Sequence, residues 1–416
     1  MHQLIGMLAL AHAQEPSEHV DEATLLAALE DVEAESETQQ LRLYGFADTT
    51  FRLPLWPQDA SWAAFAGPAP TFMVSNLNLY LESQLSSRWA SLTEVRFLYN
   101  PNGSFDNLRE GSFAQTDTLT LDVLENRPLR WGGIEIERAW VQYEASQLLQ
   151  VRVGQWLTPY GIWNIDHGSP TIIGVVRPWI IGEELLPERQ TGIQVHGQGR
   201  IGGHRLSYAA TVSNGRGRLS AFRDLDANKA LGARVAWEHG VERRIKIGLS
   251  TYGGRMSVLS YSFQGSGTGF DISSTLDRRY DELSFAADLL FETRRLRLQA
   301  EVATNERRWD DTARAVADLS VSQESFEADG VEHGVYLLAA YRLPWAGLRP
   351  YAIYSYWHPN QAVVGTTSFY RFGLNVRPVP RVVLKVEGNF TRFADAESPP
   401  YDEPFSMLLT QIAWAF

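Results

Sequence analysis

Over residues 41–416, apolar and polar side chains alternate with period two through sixteen segments of about ten residues, the spacing of a β-strand whose two faces meet different surroundings. In residues 295–302, Leu296, Leu298, Ala300 and Val302 fall on one face and Arg295, Arg297, Gln299 and Glu301 on the other. Residues 282–291 divide the same way, with Leu283, Phe285, Ala287, Leu289 and Phe291 against Glu282, Ser284, Ala286 and Asp288. In 382–390, Leu384, Val386 and Phe390 oppose Lys385, Glu387 and Asn389. Soluble sandwiches alternate too, so the connections must decide. Short turns fall at 86–87, 145–146, 200–203, 239–242, 293, 344–347 and 378–380. Long connections fall between them, at 56–70, 101–133, 158–188, 215–228, 254–280, 306–331, 358–365 and 394–404. Strict alternation of short and long is what sixteen up-and-down strands require when both termini lie on the short-turn rim. Greek-key crossovers would not sort the loops in this way.

A sheet with one greasy and one charged face suits a membrane only if it closes, because hydrocarbon offers no water to unpaired backbone amides. No apolar run approaches the ~18 residues of a spanning helix, so the expectation is an all-β, transmembrane antiparallel up-and-down barrel. It has sixteen strands, with eighteen as the alternative, long extracellular loops and short periplasmic turns. Trp89, Tyr99, Trp237, Tyr252, Phe291, Trp345, Trp357, Tyr370, Phe390 and Trp414 lie near strand ends, where aromatic girdles meet the two membrane interfaces.

Cysteine is absent from all 416 residues, which excludes disulfides, thiolate metal sites and cysteine nucleophiles and suits export through an oxidising compartment. No other motif calls for a metal or a cofactor. Residues 4–13 form an apolar stretch ending Ala11-His12-Ala13, which reads as the core and cleavage site of a secretory signal, with Gln14 opening the mature chain. Only Met1, His2 and Gln3 precede it, without the usual positive charge, so either the start lies further upstream or the stretch is not a signal, and the first is the favoured reading. The division is then a signal at 1–13, an acidic periplasmic segment at 14–40 and the barrel at 41–416. The acidic segment carries nine acids and no Lys or Arg, leaving the rest of the chain near neutral out of a net −12. Leu25, Leu26, Leu29 and Val32 stand at helical spacing within it, so a short helix and a disordered leader are equal readings.

The last ten residues end on Phe416, with Trp414, Ile412 and Leu408 at alternate positions before it. This resembles the terminal signal by which bacterial outer-membrane proteins are recognised for insertion, making Trp414 and Phe416 the insertion signal and the barrel-assembly machinery a partner. The opening strand, Leu43-Tyr-Gly-Phe-Ala-Asp48, is similar to the first strand of many porins, and 41–416 resembles the general and phosphate-selective porins in strand count and loop order. The resemblance implies a water-filled channel in a Gram-negative outer membrane among lipid and lipopolysaccharide. It also implies a homotrimer, and a third long loop folded inward to narrow the lumen. That loop, 158–188, lacks the Pro-Glu-Phe-Gly-Gly element common there. Asp166, His167, Arg177, Glu183, Glu184 and Arg189 are its candidate constriction residues. The competing reading makes Asp166-His167-Gly168 turn chemistry and the rest solvated charge.

The strand register turns Arg42, Arg96, Arg138, Arg152, Arg205, Arg234, Arg244, Lys246, Arg295, Arg297, Arg342, Arg371, Arg377 and Lys385 inward. The inward acids are Asp48, Glu82, Glu94, Glu144, Glu238, Glu282, Asp288, Glu301 and Glu387, leaving five positive charges in excess. Fixed charge biases permeation, so the expectation is passive diffusion of small hydrophilic solutes, anionic or neutral, with mild anion preference and no enzyme activity. A plugged structural or adhesive barrel is the first alternative. An outer-membrane hydrolase is the second, with Asp166, His167 and Ser169 adjacent but no G-x-S-x-G or H-E-x-x-H motif anywhere. Nucleic acid has no basic aromatic stripe to bind.

Overall fold

The computed structural model describes residues 40–416 apart from 58, 62–68, 99–120, 123–126, 129–132, 166–167, 179, 181–184, 217–225, 267–268, 311–329, 346, 360–364 and 396–402. The signal assigned to 1–13 and the acidic segment assigned to 14–40 lie outside the described residues, except for Gln40, which opens the first strand. The chain begins with β1 (Gln40–Pro54), β2 (Thr71–Gln84) and β3 (Trp89–Leu98). A two-residue ribbon, β4 (Leu121–Asp122) with β5 (Arg127–Pro128), stands apart from the wall. The wall resumes with β6 (Gly133–Ser146), β7 (Leu149–Leu157), β8 (Arg189–Ile201), β9 (His204–Ser213), β10 (Ala230–His239) and β11 (Arg243–Ser266). It continues through β12 (Gly269–Thr293), β13 (Leu296–Trp309), β14 (Val331–Tyr341) and β15 (Arg349–His358), then β16 (Thr366–Val379), β17 (Val382–Ala394) and β18 (Phe405–Ala415). Every wall strand pairs antiparallel with its neighbours, and β18 pairs with β1 to close a sixteen-stranded barrel.

Closure is completed at the backbone, where Gly45 and Phe416 exchange N–H···O bonds of 3.0 Å. Gly45 also makes room for the terminal ring, since a Cβ there would stand 2.8 Å from Cζ of Phe416. Tight connections of two residues at 147–148, 202–203 and 294–295 define one rim. Gly202 supplies the positive φ of 60° that such a turn demands, and the Thr293 hydroxyl accepts the backbone N–H groups of Arg295 and Leu296.

The faces divide as the period-two pattern requires. Leu231, Val235, Leu249, Phe285, Leu337 and Phe372 are exposed on the outer surface, where contiguous apolar area would be a liability in water and is a match for hydrocarbon. Two girdle assignments are corrected: Tyr252 and Trp357 are buried inside, because their parity is inward and loop 158–188 packs over the inner wall. Tyr99 lies outside the described residues. The long connection expected at 254–280 is instead the continuation of β11 and β12, paired as far as Ser266 with Gly269 after a register shift at Met256/Ser257. A run of Ser, Tyr, Phe and Ile extends as a ribbon more readily than it loops.

Candidate functional site

Loop 158–188 lies inside the barrel. Its neck is tied where Thr158 N donates to Glu188 O at 2.9 Å, and where the Asn164 amide donates to the carbonyls of Thr158 and Glu188, both at 3.0 Å. It then follows the inner wall. Tyr160 bonds Thr211 of β9 at 2.9 Å, and burial pushes its phenol up to about 12, so it stays neutral. Trp163 N donates to Glu301 of β13 at 2.8 Å, and Ser169 bonds Asp48 of β1. On β16 and β17, Asn375 holds Ile173 O at 2.9 Å, Arg371 holds Val176 O at 2.7 Å, and Lys385 holds Ile172 O at 3.0 Å and Gly174 O at 2.9 Å. Glu387 accepts from Val175 N at 2.9 Å and from Tyr351 at 2.8 Å. On the way back, Leu185 O accepts from Ser284 at 2.7 Å and Asn305 at 3.0 Å. Beneath these bonds Trp163, Ile173, Ile180 and Leu185 pack on Tyr336, Leu338, Ile353 and Trp357 of the wall. Backbone amides that would be unsatisfied beside an apolar wall are thus matched by inward polar side chains.

Across the lumen the wall of β1, β3, β6 and β7 carries Arg42, Arg96, Arg138 and Arg152. Arg138 pairs with Glu94 at 2.6 Å and lies over the Tyr80 ring at 5.3 Å. Arg152 lies 4.1 Å over the Trp140 ring and bonds Gln142 at 2.8 Å. Among the described residues no carboxylate pairs with it. Arg96 meets Glu137 at 3.2 Å, and Glu137 also meets Arg189 at 3.0 Å.

Glu137 was not legible as inward. Strict alternation puts Arg138 in and Glu137 out, but a register shift at Glu94/Val95 inserts a residue into β6 and turns both toward the lumen. Arg349 was also missed, because it opens its strand beside Pro350, where too little pattern precedes it. Of the constriction candidates, Arg177 bonds Glu188 within the loop at 2.5 Å and Arg189 reaches Glu137, while Asp166, His167, Glu183 and Glu184 lie outside the described residues. Ser169 is spent on Asp48.

The other inward basic residues do different jobs. Arg234 is buried and paired to both oxygens of Asp288, at 2.6 and 2.9 Å. Arg205 and Arg244 share Glu238 at 3.5 and 3.1 Å. Arg297 meets Glu292 at 3.5 Å, and Lys246 stands opposite Glu238 in the β10–β11 register. Arg371 and Lys385 are on the inner face but covered by the loop, so they hold carbonyls rather than face water. Arg295, Arg342 and Arg377 are exposed at the short-turn rim. Trp414 sits opposite Ala47 and Val382, in the closing seam.

The closed sixteen-stranded barrel superposes on solved outer-membrane proteins. An anion-selective porin from Comamonas acidovorans superposes with TM-score 0.53 at 13% identity, over 91% of this chain and 100% of that one. OmpF of Salmonella typhi, solved with daunomycin, matches with TM-score 0.53 at 11% identity, over 92% and 99%. OmpT of Vibrio cholerae in its trimer form matches with TM-score 0.53 at 9% identity, over 91% and 99%. The fold is that of a porin-like outer-membrane barrel. The porin-like likeness rests on shape, since no protein-family model matches the chain and no curated protein matches its sequence.

Proposed function

We propose that this porin-like barrel is a passive diffusion channel for small hydrophilic solutes, with a mild preference for anions, and not an enzyme. The observation that carries the reading is the inward loop. It covers the wall from β9 round to β1, which sets the remaining lumen against the arginines of β3, β6 and β7. Fixed positive charge at a narrowing raises the local anion concentration and lowers that of cations. The chain then resides in a Gram-negative outer membrane with lipid and lipopolysaccharide around it, the short-turn rim and both termini facing the periplasm. Trp414 and Phe416 serve as the insertion signal for the assembly machinery, and the protein assembles as a homotrimer, as one matched structure does. Single-channel recording of the refolded barrel in a planar bilayer under a salt gradient tests this. Stepwise openings with a reversal potential on the anion side are expected. A folded barrel that passes no current overturns the channel in favour of a plugged one, and clear cation selectivity overturns the ion preference.

A further inference from the structure

At the short-turn rim the inner face carries a belt of charge whose two halves differ. Across β9 to β13 it alternates: Arg205 and Arg244 share Glu238, and Arg244 and Arg297 share Glu292 at 3.6 and 3.5 Å. From β14 to β16 no described residue adds an acid to this belt. The β13–β14 register carries Arg297 opposite Ala340 and, two residues on, Arg295 opposite Arg342, whose N–H donates to Arg295 O at 2.8 Å. The β14–β15 register, Ala340 opposite Tyr351, continued by two residues, sets Arg342 opposite Arg349. Arg377 lies one inward position beyond Asn375, the partner of Arg349. Arg349 lies in the field of Arg342, Arg297 and Arg377, offset by Glu292, which is already shared by Arg244 and Arg297. Among the described residues, no carboxylate pairs with Arg342, Arg349 or Arg377.

Like charges set opposite one another on adjacent strands destabilise a sheet, so a row of them with which no described carboxylate pairs fits a partner that comes from solution. A guanidinium offers a planar fork of donors matched to carboxylate or phosphate oxygens. The row is also joined to the narrowing, because Arg377 gives one guanidinium nitrogen to Pro170 O of the inward loop and another to Pro380 O at 2.9 Å.

We propose that Arg295, Arg342, Arg349 and Arg377 form a binding site for multivalent oxyanions, phosphate- or carboxylate-bearing, at the short-turn exit of the lumen. This rests on the channel reading above and adds to it a discrete site, distinct from the arginines on the opposite wall. Such a site holds a permeating polyanion for longer than a monovalent ion.

The experiment is single-channel recording in potassium chloride with inorganic pyrophosphate or tricarballylate added to one side and then the other. Brief blockades, unequal from the two sides because the site lies at one end, are expected. The probe that blocks harder names the oxyanion class. The double variant R342Q/R349Q should weaken block by about tenfold or more while the unblocked channel still opens. It relieves repulsion, and its folding is checked by heat-modifiable mobility on gels. R243Q, at the end of β11 outside the row, should leave block unchanged. Equal block in wild type and R342Q/R349Q, or none with either probe, overturns the site. A barrel that never conducts overturns the channel reading instead. The site is then read by calorimetry of pyrophosphate with the folded barrel in detergent, where heat lost in R342Q/R349Q supports it and no heat from wild type overturns it.

Discussion

Glu137 and Arg152 act on the lumen with opposite sign. Glu137 pairs with both Arg96 and Arg189, so Glu137→Gln should release both and raise the anion-to-cation permeability ratio. Arg152→Gln with Arg138→Gln should lower it. Reversal potentials in the same salt gradient check both, and equal shifts in one direction would refute the arrangement. Glu387 is wholly buried and accepts from the loop backbone and from Tyr351 while lying beside Lys385. Glu387→Ala leaves a buried donor and a buried cation unmatched, so it should cost about 3 kcal/mol, read as a lower urea midpoint for the refolded barrel. These roles separate residues that look alike in sequence. Arg138, Arg234 and Arg371 all sit at inward positions, yet the first is paired with Glu94 beside the Tyr80 ring and keeps part of its side chain exposed, the second is buried against Asp288 and the third is closed off by Val176 O.

Loop and wall fit each other through missing side chains. A Cβ at Gly334 of β14 would stand 2.3 Å from Cγ2 of Ile180, and one at Gly232 of β10 would stand 2.7 Å from Cζ of Tyr160. The wall is dented where the loop seats its Ile and Tyr. Gly334→Leu should unseat the returning half of the loop at a cost of about 1 to 3 kcal/mol, and the open-channel current should become noisier and larger on average. A quiet channel of wild-type conductance would show that this half of the loop does not border the open lumen. The inward course itself was carried only by the resemblance to porins, since nothing in 158–188 distinguishes a loop that dives from one that stands up. The decision lies in the wall, where Ser284, Asn305, Arg371, Asn375, Lys385 and Glu387 present polar groups at the right height.

At the scale of the barrel, stability depends on the seam between β18 and β1, because an open sheet would present unpaired amides to lipid. Removing residues 414–416 deletes the Gly45–Phe416 bonds and the last rungs of the seam. Refolding into detergent, where no assembly machinery takes part, should then fall several-fold as read by heat-modifiable mobility. An unchanged yield would leave those residues with a role in recognition alone.

The sequence by itself determined the closed sheet and its two faces, because a period of two, sustained from Leu41 onward between short and long connections, has one solution in lipid. It also determined the face of Lys385, Arg297 and Glu301, since each lies in a strand with an unbroken pattern. Tertiary structure decided what alternation does not encode. A one-residue bulge turned Glu137 inward, the β11–β12 pairing absorbed a stretch that reads as loop, and Tyr252 and Trp357 became inner-wall residues rather than girdle. It also decided which inward charges meet water, because burial and pairing depend on strands far apart in sequence. The tally of five extra positive charges was a property of the chain. The row of Arg342, Arg349 and Arg377, of which that tally held only the first and the last, is a property of the closed barrel.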